Sequence, residues 1–321
     1  MTNLTMEGGK LNGKQAATLE EELQENSDDI AARTKLLGYY FRKQYEDQSA
    51  KTARQGHILW LIENAPESEV LAVPEGTLDK ILNNDGYQEG KELWLKQLKD
   101  QPDNLMFLKN SANFFLQHDR ELAKKSMEKA KAIDADNPKW PEKLGQLYQL
   151  DMLGRSGKSK VKAAGKALEQ LEIAYDLSDD QARDPLLSRL AKAAFEAEKL
   201  DKAKKYALQM LNQKQDDWNS GNNVHYGNII LGRIALAQDN VEEAKQHLIA
   251  AGKTEGSPQL DSFGPNMVLA KDLLEVGETE VVLEYFDLCS NFWEMGQDRL
   301  KQWSNSVKKG DKPDFKGALY R

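Results

Sequence analysis

Apolar side chains return along this chain every three or four residues, the spacing that lines one face of an α-helix, and short turn signals separate the runs. From Lys14 to Gln24 the pattern predicts a helix with Ala17, Leu19 and Leu23 inward, ended by Asn26-Ser27-Asp28-Asp29. The next helix carries Ile30, Leu36, Leu37, Tyr40 and Phe41. Its partner begins near Ser49 and runs through Ile58, Leu59, Trp60 and Leu61 to a stop at Asn64-Ala65-Pro66. The stretch from Pro66 to about Asn84 is less regular, with Pro74, Gly76 and Asn83-Asn84-Asp85-Gly86. Periodicity resumes at Tyr87 and continues through Leu93, Trp94 and Leu98 to Gln101-Pro102-Asp103-Asn104. Leu105 to Phe115, the turn His118-Asp119-Arg120 and Leu122 to Ile133 read as a full helix hairpin, closed by Asp134-Ala135-Asp136-Asn137-Pro138.

A second pattern overlies the first. A small residue is followed twelve positions later by another in Gly38–Ala50, Ser111–Ala123, Ala191–Ala203 and Gly232–Ala244. Two helices joined by a tight turn cross closely only where neither carries a bulky side chain, so a fixed offset marks one hairpin unit used repeatedly.

Composition agrees with helix. Ala, Leu, Glu and Lys dominate the 321 residues; 40% are apolar and 30% charged, and the mean hydropathy is −0.70. That is wet for a compact globule and suits repeats that each keep a solvated flank. The single cysteine, Cys289, excludes an intrachain disulfide framework, and its neighbours Leu288, Phe292 and Trp293 read it as a small buried hydrophobe. No stretch approaches eighteen apolar residues and no secretory leader pattern opens the chain, so a cytoplasmic protein away from membranes is expected. The net charge of −8 argues against nucleic acid, which needs a clustered basic face. The charge is uneven: Glu20, Glu21, Glu22, Glu25, Asp28 and Asp29 form an acidic block, read as a solvated cap. Arg155, Lys158, Lys160, Lys162 and Lys166 form a basic insertion, read either as a solvated inter-helix loop or as a docking strip for an acidic partner.

At Leu144-Gly145-Gln146-Leu147-Tyr148 the chain resembles the tetratricopeptide repeat family. That family's unit is about 34 residues long, with small residues near its eighth and twentieth positions and an aromatic near its twenty-fourth. Ala167, Leu171 and Ala174 fit the second helix of that unit after an insertion of about ten residues. Leu190-Ala191 with Ala203, Leu231-Gly232 with Ala244, and Leu269-Ala270 with Val282, Phe286 and Cys289 continue the register. The resemblance covers roughly residues 15 to 300 and implies an all-α solenoid of stacked antiparallel hairpins wound as a right-handed superhelix. Val282 in a small-residue position, and spacing beyond 34 between Pro138 and Phe263, imply irregular curvature. The expected layout is a loose segment over 1–13 and a repeat domain over 14–303. A capping helix with Trp293, Met295, Leu300 and Trp303 closes that domain, and a tail over 304–321 packs loosely or folds back.

The family binds partner peptides along its first helices, and the resemblance carries that role to Lys35, Tyr39, Arg42 and Lys43, to Gln146 and Gln149, and to Lys192 and Arg233. The family's carboxylate clamp is not implied, because Tyr39 follows Lys35 where Asn is needed. By the same register Asn228 and Asn266 occupy the fourth position of adjacent repeats, normally a large packing residue, so their two amides are expected side by side. They either cap helix starts or form a polar recognition spot with Trp218, His225 and Tyr226.

Catalytic signatures are weak. None of His57, His118, His225 and His247 has a second His or Cys at helical spacing, so no metal is implied. Gly154 to Ser159 ends in Gly-Lys-Ser like a phosphate loop but lacks the preceding strand and the first glycine at the required spacing. The leading expectation is a non-enzymatic scaffold or adaptor that grips a partner protein's peptide or helix and needs no cofactor. The alternative is a small-molecule sensor or enzyme using a polar pocket at residues 218–228 and 261–266.

Overall fold

A computed structural model describes residues 2–213 and 218–319. The chain is all-α, with 76% of it helical and no strand among the described residues. It divides into two compact units, residues 1–147 and 148–321. Among the described residues no helix is long and apolar enough to cross a membrane.

The N-terminal unit begins with α1 (Thr2–Gly8), where a loose segment was expected. Thr5 is buried, and α1 lies backbone to backbone on α3: a Cβ at Gly38 would sit 2.0 Å from the Thr5 carbonyl oxygen, and one at Gly8 would sit 1.9 Å from that of Lys35. Helix α2 (Gly13–Glu25) starts at a capping box between Asn12 and Gln15 and buries Ala16 and Leu23, one residue out of phase with the expected Ala17. Helix α3 (Ile30–Lys43) is capped by Asp29, and α4 (Gln48–Asn64) by Asp47. Two single 3₁₀ turns, Glu69–Ala72 and Pro74–Gly76, occupy the irregular stretch. Helix α5 (Asn84–Asp100) then starts a turn before Tyr87, because Asn83 caps it by accepting from the Gly86 N–H. Tyr87 and Trp94 point from α5 into the core, Tyr87 stacked 4.9 Å from Phe114. Helices α6 (Leu105–Phe115) and α7 (Arg120–Ile133) form the expected hairpin, with Ser111 and Ser126 in contact through their hydroxyls at 3.3 Å. Helix α8 (Lys139–Met152) carries Trp140 onto Leu108 and Ala130.

In the C-terminal unit the basic insertion is helix, not loop. Only the short link around Gly154 and Gly157, both in left-handed conformation, precedes α9 (Gly157–Leu177). Ala163 and Ala164 pin its first turns against Met152 and Ala197, leaving the lysines outward. Then follow α10 (Asp180–Glu196) with α11 (Leu200–Leu211), and α12 (Ser220–Ala237) with α13 (Val241–Gly252). Much of 218–228 is thus the opening of α12 rather than a loop leading to it. A short α14 (Pro258–Phe263) precedes the pair α15 (Val268–Glu275) and α16 (Thr279–Cys289). Helix α10 packs on α12 and α12 on α15, so three first helices lie side by side. The closing helix α17 (Gln297–Lys308) has Trp303 packed on Trp293 and Phe286. Phe315 folds the tail back onto Trp303 at 5.0 Å, and the Ala318 carbonyl accepts from the Met267 N–H. Cys289 is fully buried, and that burial pushes its thiol pKa up.

All eight small residues of the offset pairs are buried. At Gly232 the closeness is plain, since a Cβ there would lie 3.3 Å from the Ala244 carbonyl oxygen and 2.3 Å from Leu269 Cδ2. We predict that Gly232→Leu and Ala191→Leu each destabilise the protein by on the order of 1–3 kcal/mol through overpacking. Thermal unfolding tests this, and unchanged stability in both variants contradicts a crossing role.

Candidate interaction face

Helix α10 sets Arg189, Lys192, Phe195 and Glu196 at intervals of three, three and one residues, away from its buried Leu186, Leu190, Ala191 and Ala194. Arg233 of α12 reaches across to them. Its Nη1 donates to Glu196 Oε1 at 3.1 Å, its Nε to Asp272 Oδ2 on α15 at 3.1 Å, and its guanidinium lies 4.1 Å over the Phe195 ring. Lys160 of α9 pairs with the other Glu196 oxygen. Beyond Arg189, Gln149 of α8 accepts from its Nε at 3.2 Å and donates back to its carbonyl at 3.4 Å. The result is a charged strip over α10, α12 and α15 that includes Lys192 and Arg233, two of the residues to which the resemblance assigned partner binding.

The strip is half-buried, and burial separates its two acids. Burial alone would raise the Glu196 pKa, but Arg233 and Lys160 outweigh it and hold the carboxyl below its ordinary value. Asp272 goes the other way: burial raises it, and the single Arg233 contact offsets this only in part. Burial also lowers the Lys192 ammonium, against the pull of Glu196. Glu196, Asp272 and Phe195 were not singled out from sequence, although Glu196 stands four residues after Lys192 on the same face.

In the N-terminal unit the expected first-helix residues meet the chain's own N-terminal segment. Lys35 pairs with Glu7 at 3.4 Å, and Arg42 donates to the Gly9 carbonyl at 2.8 Å. Tyr39 lies edge-on to Tyr40, and its hydroxyl comes near Gly13. Lys43 is exposed beside Glu46, and Gln146 is exposed on α8. Below them a polar clasp joins three helices. Arg33 donates to the Ser27 carbonyl and to His57 Nδ1, which leaves the His57 Nε2–H to donate to Glu20 at 2.9 Å. Tyr40 donates to the same Glu20 oxygen, and Arg33 stacks 3.7 Å over Trp60.

The segment expected to form a recognition spot directs its bonds inward. Asn219 and Asn223 both donate to Asp184, and Asn222 donates to Asn219 and Gln259 while accepting from Ser257. Asn228 donates to the Val224 carbonyl and accepts from His247 Nδ1 at 2.9 Å. Asn266 instead accepts from the Val268 N–H at the start of α15. His225 is fully buried. Its Nδ1–H donates to the Ala251 carbonyl at 3.0 Å, while its Nε2 accepts from the Asn266 N–H at 3.0 Å, which fixes a neutral tautomer. Tyr226 stands edge-on to it, and Trp218 is 61% exposed.

Burial lowers the His225 pKa to about 4, against a smaller upward pull from the Ala251 carbonyl. The unfolded chain, with an ordinary histidine, binds the proton first as pH falls. Stability is therefore full above about 6.5 and declines down to about 4, by on the order of 3 kcal/mol in total. His225→Phe should lower stability at neutral pH and remove this part of the slope, which denaturant titrations from pH 7 to 4 read directly. Asn266→Leu leaves the Val268 N–H without its acceptor and should cost roughly 1 kcal/mol or more. An unchanged melting temperature would argue against that capping role.

Compared with protein-family models the chain matches none, and comparison with curated proteins finds no match.

Proposed function

We propose that this chain is a non-enzymatic scaffold or adaptor of the tetratricopeptide kind. Its paired helices would stack as a right-handed solenoid and hold a peptide or helix of a partner protein along the first-helix face. The observation that carries the reading is the strip in the C-terminal unit, where Arg233, seated on Phe195, links Glu196 and Asp272 across α10, α12 and α15. Side chains so held are preorganised, and a partner meeting them loses less in ordering than it would against mobile lysines. The strip also alternates in sign, which favours register and selectivity over bulk affinity.

The partner class is protein, with neither nucleic acid nor membrane required, and the cytoplasmic location expected from the sequence belongs to the same proposal. The alternative of a ligand pocket at 218–228 and 261–266 draws less support. The amides there are engaged with Asp184, Gln259, Ser257 and His247, and His225 is sealed in the core.

A photo-crosslinking residue placed at Gln149 and, separately, at Gln246 on α13 separates the faces. On this reading the Gln149 probe captures a discrete polypeptide from cell extract, the Gln246 probe does not, and Lys192→Glu lowers the capture by about tenfold at a temperature where the variant remains folded. Equal labelling from both positions, or capture indifferent to Lys192→Glu, would sink the proposal.

A further inference from the structure

The connection between α4 and α5, residues 65–83, is long for a helix linker, and long ordered connections in compact domains usually serve a function. What holds this one is Arg54 of α4, only 5% exposed. Its Nη2 donates to the carbonyls of Pro74, Glu75 and Thr77 at 2.9, 3.0 and 2.6 Å, and its Nη1 donates to the Gln44 amide oxygen at 3.2 Å. Its Nε–H has no acceptor, and among the described residues no carboxylate lies within ion-pair distance of it. Its guanidinium lies 5.2 Å over the Phe41 ring, and the more distant Glu75 charge offsets its burial only in part, so burial pushes its pKa down to about 10.

Arg54 and Gln44 line a cavity of about 260 Å³. Its apolar walls include Phe41, Val73, Leu78 and Phe114, and two lining residues, Tyr45 and Leu82, stay 69% and 45% exposed at their own positions. Also in the lining is His118, whose buried Nε2 has no hydrogen-bond partner and lies 3.5 Å from Asp79, too far for a good bond. Asp79 already accepts through its other oxygen from the N–H groups of Ile81 and Leu82.

We propose that this cavity binds a small monocarboxylate with an apolar or aromatic body, its carboxylate displacing the Gln44 amide from Arg54. The exchange is favourable because a 3.2 Å bond to a neutral amide oxygen gives way to a shorter one between two ionised groups, and a guanidinium that no carboxylate touches gains a direct counter-charge. One cation calls for one negative charge, and Asp79 in the same lining disfavours dianions such as phosphate. The hydrocarbon body fills the space between Phe41, Phe114 and the outer pair Tyr45 and Leu82, the mainly apolar surround with a few convergent polar groups that small-molecule sites share. His118, whose Nε2 makes only the long contact to Asp79, is the second group able to meet the carboxylate. The site belongs to the N-terminal unit and is independent of the charged strip on α10, α12 and α15.

The full chain is titrated with 3-phenylpropionate and hexanoate, and in parallel with 3-phenylpropionamide and sodium chloride. Two readouts are followed, the melting temperature and the Arg54 Nε–H resonance in nitrogen-15 spectra. Both acids at about 10 mM should raise the melting temperature by a few degrees and shift that resonance, whereas the amide and chloride do neither. Leu82→Trp, which fills the outer part of the cavity from an exposed position, should weaken phenylpropionate by about tenfold or more while leaving the ligand-free melting temperature unchanged. Arg54→Lys should abolish binding, because an ammonium cannot both brace the three carbonyls and present a planar fork; if that variant does not fold, Leu82→Trp decides. Overturning results are acids that bind no better than the amide, a chloride-induced shift of equal size, no binding by either acid, or full affinity in Leu82→Trp.

Discussion

How closely two helix backbones can approach is set by what stands between them, and in this protein that is repeatedly almost nothing. At Gly232 the hydrogen in place of a side chain lets α12 settle against the Ala244 carbonyl while Leu269 fills the remaining notch. Because packing attraction falls steeply with a gap of even half an ångström, that close approach constrains how the side chains around it can align. With α12 lodged there, Arg233 arrives over Phe195 and between Glu196 and Asp272, and His225 arrives under the Ala251 carbonyl. The charged strip and the sealed imidazole are both consequences of the crossing.

The N-terminal unit uses the same device for a different purpose. Gly38 has the register of a hairpin crossing toward Ala50, yet its tightest neighbour is the Thr5 carbonyl of α1. Two glycines, Gly8 and Gly38, let the short α1 dock by backbone contact, which a seven-residue helix of low intrinsic stability needs. Its docking also places Glu7 and the Gly9 carbonyl on Lys35 and Arg42.

Helix content, and several helix limits between Lys14 and Ile133, were legible in the sequence, because periodicity and cap chemistry are local. Asp29 and Asn104, both inside turn signals read from the sequence, cap the helices that follow them. The misses share a cause. The basic run Arg155 to Lys166 read as an inter-helix loop, yet Ala163 and Ala164 bury against Met152 and Ala197, and that tertiary contact outweighs the composition. Register placed Asn228 and Asn266 but not their partners: the two donors that engage them, His247 and the Val268 N–H, become visible only in three dimensions. The strip was half legible: Lys192 and Arg233 follow from the repeat register, but Glu196 and Asp272 acquire their meaning only when three helices lie side by side. Arg54 carried no signal at all, since an arginine in a helix reads as solvated until its surroundings are known.

Buried polar groups in this protein fall into two kinds, and the difference tells structure from function. His225 has a donor and an acceptor matched one to one, and Asn222 is bonded from three sides. Such groups specify the fold, and replacing them costs stability with nothing gained in recognition. Arg54 and His118 are the other kind: each is drawn into the interior with hydrogen-bonding capacity left over, and both line the same cavity. The fold meets Arg233 with its own carboxylates, faces His118 with Asp79 only at 3.5 Å, and holds Arg54 directly with carbonyl and amide oxygens. Unsatisfied capacity of opposite sign to a plausible ligand, at a cavity with a partly exposed apolar lining, is the physical mark that separates a binding site from a well-packed core.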